Sequence, residues 1–144
     1  MKLTSSAFKH QGTIPFKYAY EGEDLSPPLT IQEIPAGTKS LALIVDDPDA
    51  PQGTFDHWIT WNLPANTWEL QEGASVTMQG QNHYGNQQYG GPHPPPGAPH
   101  RYFFKLYALD TELKLAQGIS KEELEEAMEG HILGRAELVG VYQR

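Results

Sequence analysis

The amino-acid sequence predicts one mainly β domain spanning residues 1–144, with a single short helix near its C-terminal end. Three observations support this fold class. The 144 residues are 38% hydrophobic and 19% charged, which is enough for one compact core without a second domain. Short extended segments recur between turn residues such as glycine, proline and aspartate, a pattern typical of β-rich chains. Only one segment combines helical spacing with a helix-start motif.

Three segments are predicted to form the centre of the sheet. Residues 40–45, Ser-Leu-Ala-Leu-Ile-Val, are a continuous apolar run that favours a strand buried on both faces and ending at Asp46. Residues 57–62 are rich in aromatic and β-branched side chains, and residues 102–109 are largely apolar on both alternating faces. We therefore expect both to be strands with little exposed surface.

Other segments predict weaker strands. Residues 1–6 are typical of a short N-terminal strand. Residues 29–31 and 136–142 are further candidates, the former introduced by Pro27 and Pro28. We expect these last two strands at sheet edges, where proline is tolerated.

The helix is predicted to begin after Ser120, because Ser120 and Glu123 form a capping box. We expect it to end at Gly134, a residue type common after helix C-termini. Apolar residues follow the cap at helical spacing: Leu124, Ala127, Met128 and Ile132.

Composition excludes several functional classes. A formal net charge of −8 opposes binding to nucleic acid and to anionic membranes, so any anion must be held by local donors. The chain has no cysteine, which excludes a disulfide framework, a thiol nucleophile and cysteine-ligated metals. We find neither a long apolar run nor a signal-peptide pattern, and therefore expect a cytoplasmic protein without stable membrane insertion.

Residues 89–102 are the segment most indicative of a binding site. They contain five prolines, two histidines and an arginine. We expect Gly90 and Gly91 to let backbone amides approach a ligand, and His93, His100 and Arg101 to supply further donors. A proline-rich linker or docking segment is the alternative. Because the segment leads directly into a predicted strand, we favour a pocket wall.

A second polar cluster is predicted to meet that wall. Residues 46–51 place three carboxylates where a buried strand ends, although such a sequence alone is also typical of a simple turn. His57 begins the next strand, so it should lie at the same rim of the sheet. A carboxylate beside an imidazole favours the charged imidazolium, which could donate hydrogen bonds to an oxyanion.

Three separated motifs carry a family resemblance: Asp-Pro-Asp-Ala-Pro at 47–51, His-Trp-Ile-Thr-Trp-Asn at 57–62, and Gly-Pro-His-Pro-Pro-Pro-Gly-Ala-Pro-His-Arg-Tyr at 91–102. In this order and spacing they resemble the phosphatidylethanolamine-binding protein family, in particular its prokaryotic Raf-kinase-inhibitor-like branch. Residues 22–29, 130–133 and 138–144 extend the resemblance over essentially the whole chain. The resemblance implies a two-sheet, mainly antiparallel Greek-key-like fold with a small anion pocket at one end.

The resemblance also implies a set of ligand-binding residues. Position 93 is often cysteine in the prokaryotic branch, so His93 here would add a donor or a metal ligand to the rim. Arg101 is expected to pair with an aspartate of the first motif and not to clamp phosphate. For Trp61 and Phe103 we expect plain core packing. The implied ligand-binding residues are Asp47, Asp49, His57, Trp58, Gly91, Pro92, His93, His100 and Tyr102.

The function implied is non-catalytic binding of small anionic, phosphorylated ligands such as phosphate or phosphoethanolamine, with possible regulation of an unidentified partner protein. Neither a cofactor nor a bound metal is expected. Two alternatives stay open. The Asp and His side chains could serve a hydrolase or a metal-dependent enzyme, although no nucleophile-elbow or zinc-protease motif is present. Family analogy alone supports a kinase-regulating interaction protein. For the prokaryotic branch, the resemblance also suggests homodimers.

Overall fold

Nine β-strands form two sheets, and one α-helix packs on the outer side of the larger sheet. The structure is a computed structural model that describes residues 1–144. The smaller sheet has the strand order β1-β3-β6, and the larger has the order β2-β9-β8-β4-β5-β7. The strands are β1 (Lys2–Thr4), β2 (Gly12–Thr13), β3 (Leu29–Gln32), β4 (Ser40–Asp47), β5 (Phe55–Pro64), β6 (Glu69–Leu70), β7 (Met78–Gln79), β8 (His100–Leu109) and β9 (Ile132–Tyr142). The helix α1 is Lys121–Met128, and a short 3-10 turn spans Phe16–Tyr18.

The three central strands predicted from the sequence are adjacent in the larger sheet. Strand β4 lies between β5 and β8 and pairs antiparallel with both. All eight residues of β4 are buried, as its continuous apolar run indicates. The fold class is confirmed as mainly β with two sheets, and its only parallel pair joins β2 to β9.

Two hydrophobic cores flank the larger sheet. The core between the sheets includes Val45, Trp58 and Phe104. The second core lies between the larger sheet and α1, where Trp61 packs with Leu124. Trp61 is therefore a core residue, as expected. Phe103 is only half-buried, and the charged groups of Arg101 and Lys105 lie over its ring.

The prediction that residues 29–31 and 136–142 lie at sheet edges is wrong. Strand β3 is the middle strand of the smaller sheet, between β1 and β6. Strand β9 lies inside the larger sheet, between β2 and β8. Pro27 and Pro28 precede β3 and do not occupy it, so they do not interrupt its hydrogen bonds.

The helix begins as predicted but ends earlier. The Ser120 hydroxyl accepts a hydrogen bond from the Glu123 amide, and the Glu123 carboxylate accepts one from the Ser120 amide. The helix ends at Met128, and Gly130 adopts a φ of +78°, which L-residues other than glycine rarely adopt. Ile132 begins β9 instead of continuing the helix, because its apolar side chain can reach the same core from a strand. None of the helices has the length and hydrophobicity needed to cross a lipid bilayer.

Candidate ligand-binding site

The predicted site segments converge at one end of the sandwich. Antiparallel pairing brings the end of β4 next to the starts of β5 and β8, with Asp47 opposite Phe55 and Asp46 opposite Phe103. The loop before β8 closes the third side of a cavity of about 260 Å³. Five predicted residues line it: Asp47, His57, His93, His100 and Tyr102. Six others complete the wall: Ala50, Pro51, Phe55, Tyr84, Pro94 and Pro95.

The Asp47 and His100 side chains contact each other inside the cavity. The His100 Nδ1 lies 2.7 Å from Asp47 Oδ2. Because a carboxylate accepts hydrogen bonds, His100 Nδ1 carries a proton directed at Asp47. The other carboxylate oxygen accepts the Asp49 amide at 2.8 Å. Asp47 is therefore held in place by contacts to both of its oxygens, and His100 Nε2 has no partner in the protein.

His57 is more deeply buried, with 3% of its surface exposed. Its Nδ1 lies 2.7 Å from the Gly90 carbonyl oxygen, which can only accept, so Nδ1 carries the proton. Burial lowers the pKa of His57 to about 4, and the Gly90 carbonyl and the Asp47 charge oppose this shift only in part. The expectation of an imidazolium at His57 is therefore wrong for the free protein near neutral pH. The neutral ring leaves a lone pair on Nε2.

A β-bulge explains the orientation of His57. Val45 pairs with Trp58 and Asp46 pairs with Asp56, so His57 is an extra residue opposite a single step of β4. Bulges redirect side chains and are common beside binding sites. Here His57 and its neighbour Trp58 both turn toward the inside of the sandwich, His57 into the cavity and Trp58 into the core.

Trp58 therefore lies outside the cavity, contrary to its predicted place in the site. Only 1% of its surface is exposed, and its Nε1 donates to Gln79 Oε1 at 2.9 Å. Its ring packs edge-on against Tyr89. Trp58 is therefore a core residue and does not line this cavity.

Two tyrosine hydroxyl groups at this end of the sandwich differ in their hydrogen bonding. Tyr84 donates to the Gly91 carbonyl at 2.7 Å. The Tyr102 hydroxyl is buried and lies beside Asp47, but forms no hydrogen bond of acceptable geometry. Burial raises the pKa of both groups well above the usual value, so both keep their protons. Tyr102 thus lines the cavity and carries a buried hydroxyl donor beside Asp47.

The amides of Gly90 and Gly91 are not available to a ligand, which corrects the role predicted for them. The Gly90 amide donates to the His57 carbonyl at 2.9 Å. The Gly91 amide donates to Asp24 Oδ1 at 2.6 Å. Gly91 instead allows a close backbone approach, because a Cβ there would collide with the Tyr18 carbonyl and the Tyr20 amide. These glycines place His57 and Tyr84 by accepting hydrogen bonds from them.

Substituting Gly91 by alanine should destabilise the fold by about 3 kcal/mol, because the new methyl group meets rigid backbone. At Gly90 the same change meets the Tyr84 ring, which can shift, so we expect about 1–2 kcal/mol. Urea denaturation of both variants measures the difference. Equal stability of Gly91→Ala and the parent chain would contradict the close approach.

Asp49, which was predicted to bind ligand, does not line the cavity and is held by Arg101. Arg101 donates to it through Nε at 2.9 Å and Nη2 at 2.8 Å, and the Arg101 amide also contacts it. These bonds lower the pKa of Asp49 to about 2. The expected pairing of Arg101 with an aspartate of the first motif is present, and Arg101 does not line the cavity.

The remaining predicted residues lie at the rim or behind it. His93 lines the cavity from an exposed position, with its ring 4.9 Å from that of Tyr20. Pro92 is buried, and its carbonyl accepts the Tyr20 amide. No group of three or more His, Asp and Glu side chains has the spacing to hold a metal ion.

Sequence reasoning missed Phe55, Tyr84 and Asp24. Strand alternation places Phe55 on the same face as His57, so that residue could have been found. Tyr84 lies in a polar stretch without periodicity, and Asp24 is 67 positions from the Gly91 amide that it binds. Nothing local in the sequence indicates either contact.

A layer of paired charges lies behind the cavity. Lys121 of α1 lies 3.3 Å from Asp46 and 2.8 Å from Asp56, and Lys105 lies 3.1 Å from Asp46. The neighbouring carboxylates are thus matched by lysine or arginine, whereas Asp47 has only a histidine.

The fold and the site together define a β-sandwich protein with one small polar cavity at its end. The chain belongs to the phosphatidylethanolamine-binding protein family, whose model matches residues 4–143. It is 48% identical to a UPF0098 protein of Methanothermobacter thermautotrophicus, over 100% of this chain and 99% of the relative. It is 50% identical to one from Pyrococcus horikoshii, over 97% of this chain and 75% of the relative.

Solved structures agree with this assignment. A phosphatidylethanolamine-binding protein homolog from Chlamydia trachomatis matches with a TM-score of 0.95 and 46% identity, over 99% of this chain and 97% of that one. E. coli YbcL, described as a member of the mammalian PEBP family, matches with a TM-score of 0.92 and 32% identity, over 99% of this chain and 98% of that one.

Proposed function

We propose that the cavity binds the phosphoryl group of a small phosphorylated compound without catalysing a reaction. The observation that carries the proposal is the convergence of two oriented histidines with the Tyr102 hydroxyl, a buried donor whose one polar neighbour, Asp47, forms no full hydrogen bond with it. Leaving such a group unsatisfied costs about 1–3 kcal/mol. A phosphoryl oxygen at the wall would accept this hydrogen bond and recover the cost.

Local charge pairing makes an anion acceptable in an otherwise acidic protein. Asp49 is paired with Arg101, while Asp46 and Asp56 share Lys121. Only Asp47 contributes a carboxylate directly to the cavity, and His100 lies against it. The net charge of −8 therefore acts mainly at a distance, where salt screens it.

The size of the cavity favours a head group over an entire lipid. A volume of about 260 Å³ lies just below the ~300–1,000 Å³ typical of small-molecule sites. The family is named for phosphatidylethanolamine. An ethanolamine ammonium would suit Asp47, and the apolar surfaces of Phe55 and Pro94 would contact its methylene groups. Phosphoethanolamine is therefore the first ligand to test.

Calorimetric titration with O-phosphoethanolamine tests the proposal, with His100→Asn as the site variant. We expect this substitution to weaken binding about tenfold or more, because it removes the imidazole ring that Asp47 holds inside the cavity. His131→Asn is a matched control, since His131 also pairs with an aspartate at 2.8 Å but lies on the surface. Equal affinity in the parent and His100→Asn, or no binding at all, would refute the proposed site.

A further inference from the structure

Each of the two histidines His57 and His100 already uses its Nδ1 proton within the protein. Both histidines carry a proton on Nδ1, because each Nδ1 faces an oxygen that only accepts. The neutral His57 ring then offers only an acceptor, Nε2, to a guest, and the Asp47 carboxylate adds acceptor oxygens. Tyr84 has already donated its hydroxyl proton to Gly91. The Tyr102 hydroxyl beside Asp47 is a buried donor without a full hydrogen bond.

Backbone groups that pack against His57 determine which of its ring nitrogens carries the proton. The Gly90 carbonyl accepts from the His57 ring, and the Gly90 amide donates to the His57 carbonyl, so the two residues are joined at both groups. Asp24 fixes the next amide, that of Gly91. Moving the proton to Nε2 would leave a ring lone pair facing the carbonyl oxygen at 2.7 Å. His57 Nε2 therefore remains an acceptor.

We infer that the cavity selects the protonated form of its ligand, a phosphate monoester monoanion that retains one P–OH group. The P–OH donates to His57 Nε2, and a negatively charged phosphoryl oxygen accepts from Tyr102. This inference rests on the proposed function and specifies the chemical form of its ligand. A dianion would place its charge among acceptors without supplying a proton.

Other ionisable groups surround His57 and must be considered in any pH dependence. They come from β4, from β8 and from the loops that contact them: Asp46, Asp47, His100, Tyr102, Tyr84 and His93. Tyr84 and Tyr102 stay protonated, because burial raises the pKa of both hydroxyl groups. The alternative is that a histidine ring, and not the ligand, carries the proton in the complex. A chemically matched ligand without an acidic proton distinguishes these two cases.

Selection of the monoanion links binding to proton uptake. The second pKa of a phosphate monoester is about 6, so the free ligand is mostly a dianion at pH 7.5. Binding should then take up about one proton at pH 7.5 and about a quarter of a proton at pH 5.5. Affinity should fall about 25-fold between these two pH values.

The test compares O-phosphoethanolamine with 2-aminoethyl hydrogen sulfate, which carries the same ammonium arm but no acidic proton near neutral pH. Titrations at pH 5.5 and 7.5, in buffers of different ionisation enthalpy, count the protons. We expect proton uptake with the phosphate and at least about tenfold weaker binding of the sulfate. Nitrogen-15 shifts of His57 should remain those of a neutral ring in the complex.

The results distinguish failure of this inference from failure of the proposed function. Equal affinity for the sulfate, phosphate binding without proton uptake at pH 7.5, or an imidazolium signal from His57 overturns the inference while leaving the proposed function intact. Absence of binding of either compound at both pH values overturns the proposed function itself. In the His57→Gln variant, the ratio of the affinity for O-phosphoethanolamine to the affinity for 2-aminoethyl hydrogen sulfate should approach one. Both affinities are measured on the same protein, so the ratio is an internal check.

Discussion

Replacing Tyr102 by phenylalanine is expected to lower the affinity for O-phosphoethanolamine by about 10- to 100-fold, because a hydrogen bond to a charged group contributes about 1.5–3 kcal/mol. The same substitution should leave the folded protein equally stable or more stable. The hydroxyl is buried in the free protein without a full hydrogen bond, so removing it eliminates a desolvation cost and loses only the contact with Asp47. Affinity and stability should therefore change in opposite directions.

Titration calorimetry and urea denaturation of the same preparation measure the two effects. Tyr107→Phe is a matched control on strand β8, because Tyr107 is half-buried and lies away from the cavity. We expect it to bind like the parent chain. A Tyr102→Phe variant that is destabilised but binds normally would show that the hydroxyl has a structural partner and no role in binding.

The central sheet was predictable because its signal is local. Strand β4 is a continuous apolar run, and its burial on both faces follows from composition alone. Its neighbours β5 and β8 are equally apolar or aromatic. The predicted edges failed because a short strand with a weak pattern can still occupy the middle of a small sheet, as β3 does between two strands of only a few residues.

The site residues were predictable in position but not in chemistry. Antiparallel strands necessarily bring Asp47 and His57 to one end of the sheet. Whether His57 is charged depends on how completely other chain segments cover it, and whether the Gly91 amide is free depends on Asp24. Trp58 was misplaced because an unforeseen bulge turns two consecutive side chains inward. Such features arise from tertiary packing, which local patterns do not encode.

His57 should also make the folded protein sensitive to acid. Its pKa is lowered from 6.5 to about 4, so the unfolded chain binds more protons than the folded protein in that range. Stability is therefore fully present above pH 6.5 and is lost as the pH falls toward 4. At about 1.4 kcal/mol per pKa unit, the lost free energy of unfolding attributable to His57 is about 3 kcal/mol.

His57→Gln removes the titrating ring. Between pH 6.5 and 4, the free energy of unfolding should therefore fall by about 3 kcal/mol less in the variant than in the parent. At neutral pH the variant is less stable than the parent, because it loses the hydrogen bond to Gly90. Urea denaturation across this pH range gives the difference between the two curves and cancels the contributions of other groups. His131→Gln, at an exposed site, should keep the full acid sensitivity. Parallel curves for His57→Gln and the parent would mean that His57 is solvated, and the neutral acceptor assigned to the cavity would then be absent.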